Sequence, residues 1–321
     1  MTGGGLLVVG EVVTDVVARH RGPLAPGTDT AATTRLFPGG SGANVACAAA
    51  RSGAPSTLLA SAGADFAAWH RAALREAGVR AVLRVDAALP TAVVVALVDE
   101  TAERTMVTDG GAALRLAPGD WAEELLDGTG HLHVSGYLLF AEPARSLARF
   151  ALERARARGL GVSVDPASAG FLTGTGAGRF LDDCGEVDVL LPNLDEARLL
   201  TGERDPRRAA RWLTERHSRT TVVTLGPAGA VVCERGARGE EFTSFTVPAT
   251  AARAVDSTGA GDAFTGAFLA ARLAGADART AATAGCRAGA HAVATTGARP
   301  SPSLRPGTAG PGDGSPLPRP R

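Results

Sequence analysis

The sequence predicts an α/β fold: a three-layer, doubly wound, mostly parallel sheet with a small β-sheet lid. Three observations lead there. Strand-length apolar runs alternate with helical apolar spacing along most of the 321 residues, a rhythm that places helices on both faces of a parallel sheet. Two stretches, about 14–37 and 80–108, break that rhythm as short β runs between turns and would form the lid. Two Gly-rich turns lead straight into helices of small residues, the arrangement that lets a backbone approach a ligand closely.

The elements follow in order. Leu6 to Val12 opens the chain as a buried strand, and PGGSGANVACAAA, from Pro38 to Ala50, is a Gly-rich loop entering a helix. Core strands are expected at Thr57 to Ser61, His131 to Ser135, Gly161 to Asp165, Val187 to Leu191 and Thr221 to Leu225, with helices such as Pro143 to Arg158 between them. Asn193-x-x-Glu196 reads as a helix start with a capping box. Thr224 to Gly229 reads as the turn of a hairpin joining Thr221–Leu225 to Ala230–Cys233. A helix then starts within Gly259-Ala260-Gly261 and runs through Phe264, Phe268 and Leu269 at a spacing near 3.6. One domain is expected over 1–298. Beyond it, seven prolines in the last 22 residues mark a tail that cannot bury enough apolar area to order itself.

Composition narrows the function. A chain that is 45% hydrophobic can bury a large core, and 33 basic against 33 acidic residues, with no basic run, argue against nucleic acid as a partner. No lysine occurs anywhere, so a Walker P-loop, which needs its lysine on the phosphates, is ruled out. Cys47, Cys184, Cys233 and Cys286 lack the spacing of a disulfide framework or zinc site. The amino terminus lacks a signal sequence and no stretch has membrane character, so a cytoplasmic location is expected. His131 and His133 share a strand face without a third ligand and read as structural.

The densest chemistry is DSTGAGD, Asp256 to Asp262. It sets the Asp262 carboxylate one residue past a Gly-Ala-Gly turn at a helix start, where the N–H groups of Gly259, Ala260 and Gly261 would face an anion. A carboxylate beside an anion hole can accept a hydroxyl proton during phosphoryl transfer; a capped helix after a tight turn would look the same. Asp15 suits a strand-to-loop turn equally well, and Gly39, Gly40 and Asn44 suit any crowded helix start. The Gly40-Ser41-Gly42 run fails as a dinucleotide fingerprint because Val45 occupies its third glycine position.

Together the two Gly-rich segments resemble the paired signatures of the ribokinase-like, or PfkB, carbohydrate kinases, and the likeness extends from about Leu6 to Ser301. Gly10, Glu11 and Asp15 follow the family's first strand; Gly53, Gly63 and Asp65 fall within its first signature; LLPNLDEARLLTG and TLGPAG are similar to its Asn-x-x-Glu element and nucleotide-binding turn. The resemblance implies an ATP-dependent kinase with Asp262 as general base and Gly259, Ala260 and Gly261 as its anion hole. It also implies Asp15, Gly39, Gly40 and Asn44 at the sugar. Asn193, Thr224, Gly226, Gly229 and Cys286 would lie at the nucleotide, with Glu196 reaching Mg2+ through water. Asp256 and Thr258, beside Gly297 and Ser301, match a monovalent-cation region that implies K+.

The acceptor is expected to be a small sugar, with a neutral hexose such as fructose preferred. Gly110 stands where many relatives carry Arg, which disfavours phosphorylated and acidic sugars unless Arg104 or Arg115 substitutes, and Ser135 to Phe140 lacks the Glu usual in ribose-specific members. A nucleoside kinase needs an aromatic floor, for which Phe37 and Tyr137 are the candidates in a chain only 4% aromatic. A non-catalytic sugar- or nucleotide-binding regulator is the alternative of a different class, and a vitamin kinase of related fold is opposed by the first signature and the lid strands. A homodimer through the lid edges is expected.

Overall fold

A computed structural model describes residues 3–100, 104–236, 241–253, 255–295 and 297. The expected tail from 299 onward, with Ser301, lies outside them.

The central sheet begins with β1 (Gly5–Val9), whose successive side chains enter two different cores, Leu6 and Val8 on one face and Leu7 and Val9 on the other. That is the signature of a strand buried on both faces. It lies between β4 (Ser56–Gly63) and β8 (Thr129–Ser135), parallel to both. Beyond β8 come β9 (Gly161–Asp165), β10 (Val187–Leu190) and β11 (Ser218–Thr224), all parallel. The antiparallel strands β12 (Ala230–Arg235) and β13 (Phe242–Val247) complete that edge, so the expected hairpin at 224–229 is present.

On one face lie α1 (Ser41–Arg51), α8 (Ala260–Leu273) and α9 (Ala278–Val293); on the other lie α3 (Ala144–Ala157) and α5 (Ala177–Cys184). Alanine dominates α1 and α9, so these helices approach α8 closely. The other face buries bulkier side chains, among them Leu147, Leu152 and Phe180.

A separate sheet of four strands forms the lid, in the order β3 (Ala32–Gly39), β2 (Val13–His20), β6 (Ala92–Val98), β7 (Arg104–Asp109). The expected second lid segment, 80–108, needs correction at its front. Residues 79–86 form β5 (Val79–Asp86), which pairs parallel with β4 along its whole length as the outer strand of the central sheet. Its half-buried pattern resembled that of the lid because an edge strand and a lid strand expose similar fractions of side chain. Two polar clamps fix the lid to the core at its base: Thr14 Oγ1 bonds His70 Nε2 at 3.1 Å, and Asp65 accepts from both the N–H and the hydroxyl of Thr91 at 3.0 and 2.7 Å.

His131 and His133 are buried in β8 and share one hydroxyl, Ser163 Oγ, at 2.8 and 2.9 Å. Burial pushes both imidazoles down to about 3, and the pair is structural, as expected. Among the described residues no helix is long and apolar enough to cross a membrane.

Candidate active site

The carboxyl ends of β1, β8, β9 and β10 open under the lid into a cavity of about 850 Å³. Ligands of open α/β sheets bind at that edge. Three helix N-termini converge on it: α1 behind Gly40, α8 behind Gly259, and α6 (Leu194–Thr201) behind Asn193. Each brings first-turn N–H groups that have no acceptor within their own helix, and so a partial positive charge.

Asp262 stands in the first turn of α8, where Gly259 takes the left-handed conformation (φ +74°) that ends the preceding loop. Two groups from α1 hold its carboxylate: the Ser41 hydroxyl donates to Oδ1 and the Asn44 amide to Oδ2, each at 2.8 Å. Ser41 and Asn44 are one helical turn apart and so share a face. Both oxygens are therefore oriented by the neighbouring helix, and the carboxylate cannot rotate freely.

The expected residues divide. Asp262, Gly259, Gly261, Asp15, Gly40, Asn44, Asn193, Glu196, Thr224, Asp256 and Thr258 all line the cavity. Gly39 stands one step behind, where the Asp15 carboxylate occupies the space that a Cβ would need. Ala260 is outside the lining, and its N–H bonds the Ser257 carbonyl at 3.4 Å. The structure does not bring Gly226, Gly229 or Cys286 to the cavity wall. The two glycines sit at the tip of the β11–β12 turn, and Cys286 points into the α9 core, where burial raises its thiol. A helix of small residues can present either face to a partner, and α9 turns this one inward against α8.

Asn193 and Glu196 form the capping box, each side chain bonded to the other's backbone N–H at 3.0 and 2.8 Å. The Asp256 oxygens accept from the N–H groups of Thr258 at 2.8 Å and Gly297 at 3.1 Å, tying the loop before α8 to the end of α9.

Sequence reading missed Asp165. It ends β9, lines the cavity half-buried, accepts from the Ala167 N–H at 2.8 Å, and lies close to Glu196 and Asp262. Its place as the last residue of a parallel strand was the available signal. Burial, then the neighbouring carboxylates, raise Asp165 well above the ordinary range, and burial lifts Glu196 to about 7. Glu11 is likewise raised, chiefly by burial. Among the described residues the lining holds seven carboxylates and no Arg, Lys or His. Arg115 is not part of it, and the side chain of Arg104 is outside the described set.

A doubly wound sheet, a four-stranded lid and an acidic cavity between them define the class of ribokinase-like sugar kinases. The chain superposes on a "probable sugar kinase protein" from Rhizobium etli with a TM-score of 0.82 at 25% identity, over 94% of this chain and 96% of that one. It is 33% identical to the fructokinase of Klebsiella pneumoniae over 83% of this chain and 84% of the relative. Against the 2-dehydro-3-deoxygluconokinase of Thermoproteus tenax the identity is 32%, over 82% of each. Residues 5–304 match the model of the pfkB family carbohydrate kinases, and the chain belongs to that family.

Proposed function

We propose that this sugar kinase transfers the γ-phosphoryl group of ATP to a hydroxyl of a small uncharged sugar, with a hexose such as fructose as the simplest acceptor. The observation that carries the reading is the Asp262 carboxylate, fixed by Ser41 and Asn44 at the N-terminus of α8 and facing the cavity. Held there, it can take the proton of an acceptor hydroxyl as that oxygen attacks, while the N-terminal N–H groups of α8 receive developing negative charge. Asp15, opposite on β2, suits hydrogen bonds from sugar hydroxyls, and the lid excludes water that would otherwise compete as acceptor. Thr224 and Asn193 flank the side where the nucleotide would enter. Among the described residues the lining has no basic side chain to pair with a sugar acid or sugar phosphate, which is why an uncharged acceptor is preferred.

Mg2+ fits the site. Among the described residues no three His, Cys, Asp or Glu gather to hold a metal by themselves, as expected for an ion held mostly by phosphates and water with one or two carboxylates. Glu196, with Asp165 beside it, would hold that ion, whose charge offsets that of the phosphates. The raised carboxyls of this pair fit the same reading, since a cation would draw them into their ionised forms.

Glu196 gives the reading a pH dependence. Below about 7 its carboxyl is protonated and cannot serve a cation; above that value it is ionised. The KM for Mg-ATP is therefore expected to rise about tenfold per pH unit as pH falls below 7, and Glu196→Gln, which keeps an acceptor for the Asn193 N–H, should flatten that dependence. An unchanged profile in the variant would remove Glu196 from this role. The function itself is tested by ADP release from Mg-ATP with fructose, ribose, 2-keto-3-deoxygluconate, fructose 6-phosphate, adenosine and pseudouridine. Release stimulated by a neutral acceptor supports the reading; selective stimulation by the acid or the phosphate sinks the preference for uncharged sugars.

A further inference from the structure

The start of α1 lacks the cap that a helix start ordinarily carries. Its N-cap position is Gly40, at φ +98°, which has no side chain to offer, and its first turn contains no acidic residue. Such a turn leaves N–H donors without acceptors. Here the acceptors come from another element: two residues beyond β1, Glu11 takes the Gly42 N–H on its side-chain Oε1 and the Ala43 N–H on its main-chain carbonyl, each at 3.2 Å. Close approach of the two segments makes this possible. A Cβ on Gly10 would come within 2.7 Å of Gly42 Cα, and one on Gly40 within 2.5 Å of the Glu11 carbonyl oxygen. A serine or aspartate at position 40, the usual cap, would therefore collide with the end of β1, and Glu11 supplies what the turn cannot hold itself.

Glu11 is 4% exposed and lines the cavity together with Gly40 and Ser41. Burial raises its carboxyl, the Ser135 hydroxyl and the Gly42 N–H beside it draw it down, and Asp262 raises it again. What the capped turn carries decides the importance of this contact. Ser41 is the first residue of α1, where a helix frays soonest, and it holds Oδ1 of Asp262; Asn44, one turn on, holds Oδ2. The hold on Asp262 is thus only as firm as the first turn of α1.

We propose that Glu11 is a positioning residue for Asp262: by capping α1 from β1 it keeps Ser41 and Asn44 in place, and through them the carboxylate that receives the acceptor proton. This rests on the kinase reading above, in which Asp262 is the base.

The test is a set of full-length variants read by ADP release with the best acceptor and by hydrogen exchange. Glu11→Ala is expected to lower kcat about tenfold with the KM for Mg-ATP within about twofold, because a small displacement of the base slows the chemical step. Glu11→Gln keeps a carbonyl oxygen for the Gly42 N–H and should recover most of that loss. In a Ser41→Ala/Asn44→Ala background, where both α1 partners of Asp262 are gone, adding Glu11→Ala should lower kcat by less than about twofold. A full further tenfold there, native kcat in Glu11→Ala, or a Gln variant as slow as the Ala variant overturns the proposal. Should Glu11→Ala not fold, Glu11→Met fills the space without an acceptor and repeats the comparison. Leu152→Ala, buried on the other face of the sheet, lowers the melting temperature and should leave kcat within about twofold; an equal loss of kcat in it would assign the effect to stability instead. Exchange at the Gly42 amide should quicken about tenfold in Glu11→Ala and stay near native in Glu11→Gln. Unchanged exchange in the Ala variant removes the cap, whatever the activity. A native protein that forms no ADP with any acceptor sinks the kinase reading, and the positioning role with it, even where the exchange data uphold the cap.

Discussion

Asp262→Asn is expected to lower kcat by about 10³-fold while the KM for ATP stays within about threefold. The substitution is nearly isosteric and removes the basic site. In the native protein Oδ1 accepts from Ser41 and Oδ2 from Asn44. The asparagine can turn its carbonyl oxygen to Asn44 and its amide to the Ser41 oxygen, so both contacts survive and the fold should too. What is lost is the capacity to take a proton and the negative charge beside the acceptor hydroxyl. A steady-state assay with the best acceptor, together with a melting curve, separates chemistry from folding. A variant retaining more than a tenth of native kcat would show that the proton leaves by another route.

Gly266→Ala is expected to combine a loss of stability with a loss of rate. Gly266 lies in α8 where the helix crosses α1, and a Cβ there would press on the Val45 carbonyl and come within 2.6 Å of Ala48 Cβ and 2.8 Å of the Ala49 nitrogen. Those are mostly backbone atoms of a helix, which cannot swing aside. The two helices must separate, at an overpacking cost of about 3 kcal/mol, offset by about 1 kcal/mol from the better helix propensity of alanine. The net effect predicts a melting temperature lower by several degrees. The same separation draws Ser41 and Asn44, on α1, away from Asp262, on α8. Well below the melting transition, kcat should therefore still fall by about 10-fold or more, since small misplacements of a reacting group are costly. Native kcat in a destabilised variant would show that the hold on Asp262 does not depend on this crossing.

Much was legible in the sequence. The strand rhythm, the two Gly-rich helix starts and the hairpin before Cys233 were local patterns, and local backbone preference is enough to reveal them. Asp262 and the Asn193–Glu196 box were likewise visible, because a cap and a first-turn carboxylate lie within a few residues of the turn that explains them. Errors arose where a side chain's role depended on distant neighbours. Asn44 lines the cavity as expected, but that its amide also holds the Asp262 carboxylate, from 218 positions away, was not foreseen. Cys286 was expected at the nucleotide and is packed in the core. Residues 80–86 were expected in the lid and instead extend the central sheet within β5.

The aromatic residues show the limit most clearly. Phe140 stacks on Phe171 at 5.2 Å and on the buried Phe180 at 6.1 Å, and a low aromatic content gave no hint of that packing. By itself the sequence determined the α/β class, the order of the elements and the chemistry at the start of α8, because each is encoded by contiguous residues through backbone geometry. Only the tertiary structure decided which groups orient the Asp262 carboxylate, which acids share the burial that raises them, and which rings face the cavity. Those are properties of distance and desolvation, and they exist only once helices and strands from both halves of the chain have packed together.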